Sequence, residues 1–233
     1  MNELSLTGSA TEFEAYCRSK AVPPGSILHY SLLGQPLAQR RKLLSLYALE
    51  REWREIVDSS RDPDVAQSKL AWWRQELRSL EHNEARHPVT QALLPWLRLQ
   101  DDPHLKRILD SWLDAIEHDL HYGVYSNFTQ LSEYCRHIGE AYVVLLVQAT
   151  GGRVGQNAPF AHSFGVGWVL FERLLAVRPN ALHGRQYIPE DELARFQLTF
   201  NDLQKNIIHR VCRTCSPRRP SEYAATLRML NSN

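Results

Sequence analysis

The sequence has no excess of charge of either sign. Its 233 residues include 27 Lys and Arg residues and 26 Asp and Glu residues, which gives a formal net charge of +1. Because the two signs are mixed along the chain, we expect no broad basic surface that would attract a polyanion. The composition therefore argues against a nucleic-acid-binding protein.

Long hydrophobic runs are also missing. No stretch approaches the roughly 20 apolar residues that a helix needs to cross a bilayer. The N-terminus lacks the basic and then apolar pattern of a secretory signal peptide. We therefore expect a cytoplasmic protein without a transmembrane segment, and the sequence leaves peripheral contact with a membrane open.

Cysteine is rare in this chain. There are four cysteines, a number that suits a reducing compartment, and Cys212 and Cys215 form the only C-x-x-C pair. His209 lies close to this pair in the sequence. A structural zinc ion needs four ligands, however, and the sequence contains no second pair. The pattern therefore favours ordinary reduced thiols over a zinc site.

Alternating polar and apolar residues, which would indicate β-strands, do not form any convincing run. Apolar residues instead recur at helical spacing, as in the stripe from Leu105 to Leu120. Asp62 has the residue type and position of a helix cap, with Pro63 in the first turn. Nothing resembles an interdomain linker, so the sequence predicts a single all-α domain over residues 1–233. The longer predicted helices cover residues 11–20, 36–59, 131–149 and 159–177.

The predicted helix over residues 36–59 carries acidic side chains at a spacing that suits metal binding. Carboxylates three or four residues apart lie on one helical face. Two such helices facing each other could hold divalent cations through hard oxygen ligands. Glu55 and Asp58 have this spacing, and Arg51 precedes Glu55 by four residues. The alternative is a surface helix with ordinary solvated charges.

The run from Leu46 to Asp58 resembles the first aspartate-rich helix of the squalene and phytoene synthases. Tyr47, Arg51 and Asp58 match residues of that helix. The run from Glu172 to Pro189 ends like the second motif of the family. The resemblance extends over most of the chain, and the other segments that carry it are residues 16–20, 69–77, 117–120, 128–139 and 184–193.

This resemblance implies an isoprenoid-synthase-like helical bundle with a central cavity, shortened at its C-terminal end. It also implies substrate-binding roles for side chains that line the diphosphate pocket and the cavity, namely Tyr47, Arg51, Tyr134, Arg185 and Tyr187. In an active member, Tyr47 or Tyr187 would face the carbocation and magnesium would be the cofactor. The substrate would be farnesyl or geranylgeranyl diphosphate, joined head to head.

The metal-binding positions depart from the family pattern. Arg54 stands where the first motif has its other metal-binding aspartate. In the second motif, an Asn and two Asp residues are replaced by Glu172, Ala176 and Asn180. Each lost carboxylate removes a contact to a divalent cation, and the added guanidinium repels that cation. We therefore predict that no three-metal site forms and that no cofactor is required. The alternative, a single weak magnesium site, would use Glu55, Asp58 and Glu172.

We interpret the chain as a catalytically degenerate member of this family, with no catalytic residue. It is similar in kind to the branch that contains the mitochondrial complex I assembly factor. Such a protein would keep a pocket for a prenyl diphosphate or prenyl lipid, or would bind a protein partner through the residues that line the former substrate cavity. Two alternatives stay open: an active, reduced squalene or phytoene synthase that uses magnesium, and a purely structural helical adaptor.

Overall fold

The computed structural model describes residues 3–59, 62–97, 103–121, 123–152 and 154–205, with only the backbone for residues 3–11, 59 and 154–158. Within these ranges the chain forms eleven helices and no strand, which confirms the all-α prediction. The helices are α1 (Glu3–Ala21), α2 (Ile27–Leu33), α3 (Leu37–Ser59), α4 (Pro63–Glu81), α5 (Pro88–Leu93), α6 (Pro103–His121), α7 (Phe128–Ala149), α8 (Val154–Leu175), α9 (Val177–Leu182), α10 (Glu190–Arg195) and α11 (Phe200–Gln204).

Local capping explains where several of these helices begin. The side chain of Asp62 accepts a hydrogen bond from the amide of Asp64 at 2.9 Å, and Pro63 occupies the first turn of α4, as the sequence predicted. Asn127 caps α7 in the same way through the amide of Gln130. The predicted starts of α1, α7 and α8 were wrong, because all three helices begin earlier. Pro159 lies inside α8, in its second turn, where few amide hydrogen bonds are lost.

The main hydrophobic core forms around Trp53, in the middle of α3. This side chain is fully buried. Its indole meets Trp73 of α4 with ring centroids 6.0 Å apart and Trp112 of α6 at 4.9 Å, both in edge-to-face geometry. Aromatic pairs of this kind add to the free energy gained by burying their area. The core thus fixes α3 against α4 and α6, and α1, α5 and α7 also pack against α3.

Two glycines allow α7 and α8 to pack with their backbones in contact. A Cβ atom at Gly139 would lie 2.7 Å from the Cα atom of Gly165 and closer still to its carbonyl group. The same conflict arises in the other direction at Gly165. Because no side chain fits between the two backbones, this crossing sets the position of α8 relative to the rest of the molecule.

We expect Gly139→Ala to destabilise the protein by roughly 1–3 kcal/mol, the usual cost of overpacking a tight contact. The added methyl group would push against backbone atoms, which cannot rotate away. Urea unfolding followed by circular dichroism would measure the change. The control is Gly34→Ala at the C-cap of α2, where an added Cβ meets no atom within 4 Å and φ is −79°, so we expect stability to be unchanged or slightly higher. Equal stabilities for the two variants would contradict the close crossing.

Two further sequence expectations concern the cysteines and the membrane. Cys17 and Cys135 are buried free thiols, and burial raises the pKa of each to about 12, so both stay protonated at neutral pH. Cys212 and Cys215 lie outside the described residues, and their interpretation stays a prediction.

Among the described helices, none has the length and apolar character needed to span a bilayer. The prediction that residues 1–233 form a single domain also stays a prediction.

Candidate functional site

An arginine joins the two helices on which the sequence placed the metal ligands. From α3, the Nε atom of Arg54 donates a hydrogen bond to a carboxylate oxygen of Glu50, one turn earlier, at 2.6 Å. The same guanidinium also contacts the carboxylate of Glu172 in α8 through Nη2. All three side chains are only 20% to 23% exposed. A cation contributed by the chain itself therefore lies between the two acidic side chains.

The electrostatics of this contact favour a permanently charged arginine. Burial acts to lower the pKa of Arg54, but the carboxylates of Glu50 and Glu172 outweigh burial and hold that pKa above its usual value. Burial raises the pKa of Glu50, and the charge of Arg54 acts in the opposite direction. We call this group, Glu50, Arg54 and Glu172, the α3–α8 ion pair.

Two of the three predicted weak metal ligands are engaged with different cations. Glu55 accepts a hydrogen bond from the ammonium group of Lys20 in α1 at 2.7 Å. Glu55 follows Arg54 by one residue, which rotates it by about 100° around a helix of 3.6 residues per turn and turns it towards α1. Glu172 belongs to the α3–α8 ion pair, and Asp58 is exposed in the last turn of α3. Among the described side chains, no three His, Cys, Asp or Glu residues form a group that could hold a metal.

A second charged cluster surrounds Asp119 of α6, whose side chain is fully buried. Its carboxylate accepts hydrogen bonds from the phenol groups of Tyr187 at 2.5 Å, Tyr134 at 3.0 Å and Tyr125 at 3.4 Å. The rings of Tyr134 and Tyr187 stack with centroids 5.8 Å apart. Arg185 donates to the main-chain carbonyl of Asp119. These residues form what we call the Asp119 cluster.

Arg173 of α8 supplies the balancing charge for this cluster. Its guanidinium donates a hydrogen bond to the phenol oxygen of Tyr134 at 2.7 Å and lies 4.5 Å from the centre of the Tyr187 ring. Burial acts to lower the pKa of Arg173, but the phenols of Tyr134 and Tyr187 and the carboxylate of Asp119 hold it well above its usual value. Burial raises the pKa of both phenols. The tyrosines therefore remain protonated hydrogen-bond donors.

The structure brings together three of the five residues predicted to bind substrate. Tyr134, Arg185 and Tyr187 meet in the Asp119 cluster. Tyr47 lies apart from them and packs against Tyr142 of α7, with ring centroids 6.2 Å apart. Arg51 is exposed on α3. Whether any of these five side chains contacts a ligand stays a prediction.

Sequence reasoning missed two residues that organise the site. Asp119 lies three residues after Ile116 and seven after Trp112, within the apolar stripe of α6. A carboxylate at a core position of such a stripe is the signal that could have identified it, because buried charges need partners. Arg173 was visible only as a basic residue near the second motif, and nothing local indicated that its side chain turns inward.

A cavity of 810 Å³ opens between α6 and the beginning of α7. Its lining includes Tyr125 and Tyr134 of the Asp119 cluster, together with His118 and His137. None of its lining residues comes from α3 or α8. The cavity therefore approaches the Asp119 cluster from a side that does not include the α3–α8 ion pair.

Comparison with known proteins gives a consistent family signal. A family model described as "Squalene/phytoene synthase" matches residues 27–218. The 15-cis-phytoene synthase of Synechococcus elongatus is 27% identical over 216 residues, which cover 84% of this chain and 67% of that protein. The phytoene synthase of Mycobacterium tuberculosis is 25% identical over 167 residues, covering 72% of this chain and 54% of that protein.

Solved structures share the fold at lower identity. The squalene synthase HpnC from Alicyclobacillus acidocaldarius superposes with a TM-score of 0.69 at 19% identity, covering 86% of this chain and 73% of that chain. A dehydrosqualene synthase in complex with ligand superposes with a TM-score of 0.68 at 21% identity, covering 85% and 68% respectively. The helical architecture is therefore that of the squalene synthase structures, as the sequence predicted.

Proposed function

The chain belongs to the squalene/phytoene synthase family, and from that membership we propose that it is a member that binds a prenyl diphosphate or prenyl lipid without condensing it. In this proposal the protein needs no magnesium. The observation that carries the proposal is the α3–α8 ion pair, because Arg54 occupies the position between the two motif helices where the family resemblance places metal ligands.

The residues present do not fit a group of magnesium ions. Magnesium prefers several hard oxygen donors in near-octahedral geometry. Here the carboxylates of Glu50 and Glu172 already share the charge of Arg54, and Glu55 pairs with Lys20. An incoming divalent cation would have to displace a guanidinium and would also be repelled by it. The proposal therefore assigns no reaction step to a metal.

The same contacts limit how an anionic ligand can be held. Arg54 and Arg185 are both engaged inside the protein, one by two carboxylates and the other by the carbonyl of Asp119. Arg51 is exposed and is the arginine of the first motif that we assign to a diphosphate group. A guanidinium can hold such a group through two parallel hydrogen bonds without a metal.

A magnesium test distinguishes this proposal from the active-enzyme alternative. We expect the melting temperature of the unmodified protein to be the same in millimolar magnesium and in a chelator, because Arg54 already neutralises the acidic pair. Arg54→Ala should lose roughly 1–3 kcal/mol of stability, less than a fully buried pair because the side chains are partly exposed. Magnesium should restore part of that loss by binding Glu50 and Glu172.

The matched control is Arg74→Ala. Arg74 also pairs with two carboxylates, Asp114 at 2.7 Å and Glu117 at 2.7 Å, but on the outer surface of α4 and α6. We expect a loss below about 1 kcal/mol for this variant and no response to magnesium. A melting temperature of the unmodified protein that rises with magnesium, in the absence of any prenyl diphosphate, would contradict the proposal.

A further inference from the structure

The face of α8 opposite its contact with α7 carries a continuous apolar ridge. Six large apolar side chains recur there at helical spacing, each between 40% and 71% exposed: Phe160, Phe164, Trp168, Phe171, Leu174 and Leu175. The rings of Phe160 and Phe164 stack with centroids 5.2 Å apart, and those of Phe164 and Trp168 stack at 6.4 Å. We call these six residues the α8 ridge.

The α8 ridge is large for a surface that stays exposed within the described part of the chain. Large aromatic side chains bury roughly 150–250 Å² each, so at these exposed fractions the ridge presents on the order of 600 Å². The largest apolar patch of a typical monomer is about 300–600 Å² and often marks a binding surface. Two ridges packed together would bury about 1,200 Å², the lower end of the range for specific protein interfaces.

The order of large and small residues along the ridge is self-complementary. A twofold axis between residues 167 and 168 would pair two antiparallel α8 helices. Phe164 of one copy would then face Phe171 of the other, and Phe160 would face Leu175. At the axis Trp168 would face Gly167, where nothing lies within 4 Å of the position of a Cβ atom. The largest side chain of the ridge would therefore meet a residue that has no side chain.

We infer that two copies of this chain associate through their α8 ridges, packed antiparallel around Gly167. In this dimer α8 is covered on one side by α7, across the Gly139 and Gly165 contact, and on the other by α8 of the second copy. The second copy supplies the apolar surface that covers the ridge. The inferred dimer therefore requires no lipid and no other protein.

Size-exclusion chromatography with light scattering tests the association. We expect twice the monomer mass for the unmodified protein at micromolar concentration. Gly167→Gln should weaken the dimer about tenfold or more, because the new side chain would collide with Trp168 of the second copy, whereas its Cβ atom would have no atom of its own chain within 4 Å. Trp168→Glu should do the same. The control is Trp72→Glu in α4, a Trp of similar exposure, which should leave the dimer unchanged.

Single cysteines test the antiparallel register, in a background where Cys212 and Cys215 are replaced by Ser. Trp168→Cys should form a disulfide between copies, because both residues flank the axis. Phe160→Cys should not, since the two copies of residue 160 would lie roughly 20 Å apart along the helices, beyond the reach of a disulfide. A disulfide at 160 and none at 168 would overturn this register.

Two other outcomes would overturn the dimer. A monomeric protein at all concentrations, with a Phe164→Cys thiol that resists alkylation, would assign the covering surface to the same chain. A monomer that binds phosphatidylcholine vesicles, and loses this binding in Trp168→Glu, would assign the ridge to a membrane surface.

Discussion

Incubated with magnesium and farnesyl or geranylgeranyl diphosphate, the protein is expected to release no squalene or phytoene. Condensation begins with loss of diphosphate from an allylic carbon, and the charge that develops on the leaving group must be neutralised in the transition state. Bound metal ions supply several kcal/mol of this stabilisation, and about 1.4 kcal/mol corresponds to a tenfold change in rate. In this chain the charge of Arg54 is already shared between Glu50 and Glu172, so it cannot respond to the leaving group.

The assay needs a radiolabelled substrate, extraction of products, and an active squalene or phytoene synthase as the positive control. A filter-binding measurement in a chelator should run beside it, because the proposed function expects a bound but unconverted ligand. The triple variant Arg54→Asp, Ala176→Asp and Asn180→Asp is expected to gain magnesium binding. Squalene, phytoene or a cyclopropyl intermediate from the unmodified protein, abolished by a chelator, would establish the active-enzyme alternative instead.

Asp119→Ala is expected to cost roughly 3–5 kcal/mol of folding free energy, the usual result of removing one partner of a buried charge pair. The substitution would remove the carboxylate that lies 4.0 Å from Arg185 and whose charge acts on the buried Arg173, and three phenol groups would lose their acceptor. Urea unfolding would measure the change. A stability within about 0.5 kcal/mol of the unmodified protein would show that the Asp119 cluster does not hold the fold together.

Two controls separate charge from volume. Asp119→Asn keeps the size of the side chain and one acceptor oxygen, so we expect it to retain part of the stability that the Ala variant loses. Asp114→Ala removes a carboxylate from the same helix, one that is 65% exposed and paired with Arg74, and should cost less than about 1 kcal/mol.

Much of the fold could be predicted from the sequence because its signals are local. The apolar stripe of α6 and the cap at Asp62 depend on residues within a few positions of each other. The prediction was wrong where a helix lacks such a signal. No proline lies between Glu3 and Thr11, and α1 extends further towards the N-terminus than the predicted start at residue 11.

The candidate site could be predicted only in part because its contacts are long-range. The sequence showed that Arg54 and Glu172 depart from the family pattern, yet nothing local indicated that these residues, 118 positions apart, contact each other. The same holds for Arg173, whose hydrogen bond reaches Tyr134 in another helix. Asp119 was also missed, although its position in an apolar stripe could have marked it as a buried carboxylate that needs partners.

The α3–α8 ion pair also limits the evolutionary paths back to a metal-binding enzyme. A single change of Arg54 to Asp would place three carboxylates together with no cation between them, and like charges at short range repel strongly in a partly buried site. A single change at Glu172 would leave Arg54 in place to exclude the metal. Because each first step loses stability, and a bound magnesium ion would restore only part of the loss at Arg54, natural selection on single substitutions would keep the chain in its ion-paired form.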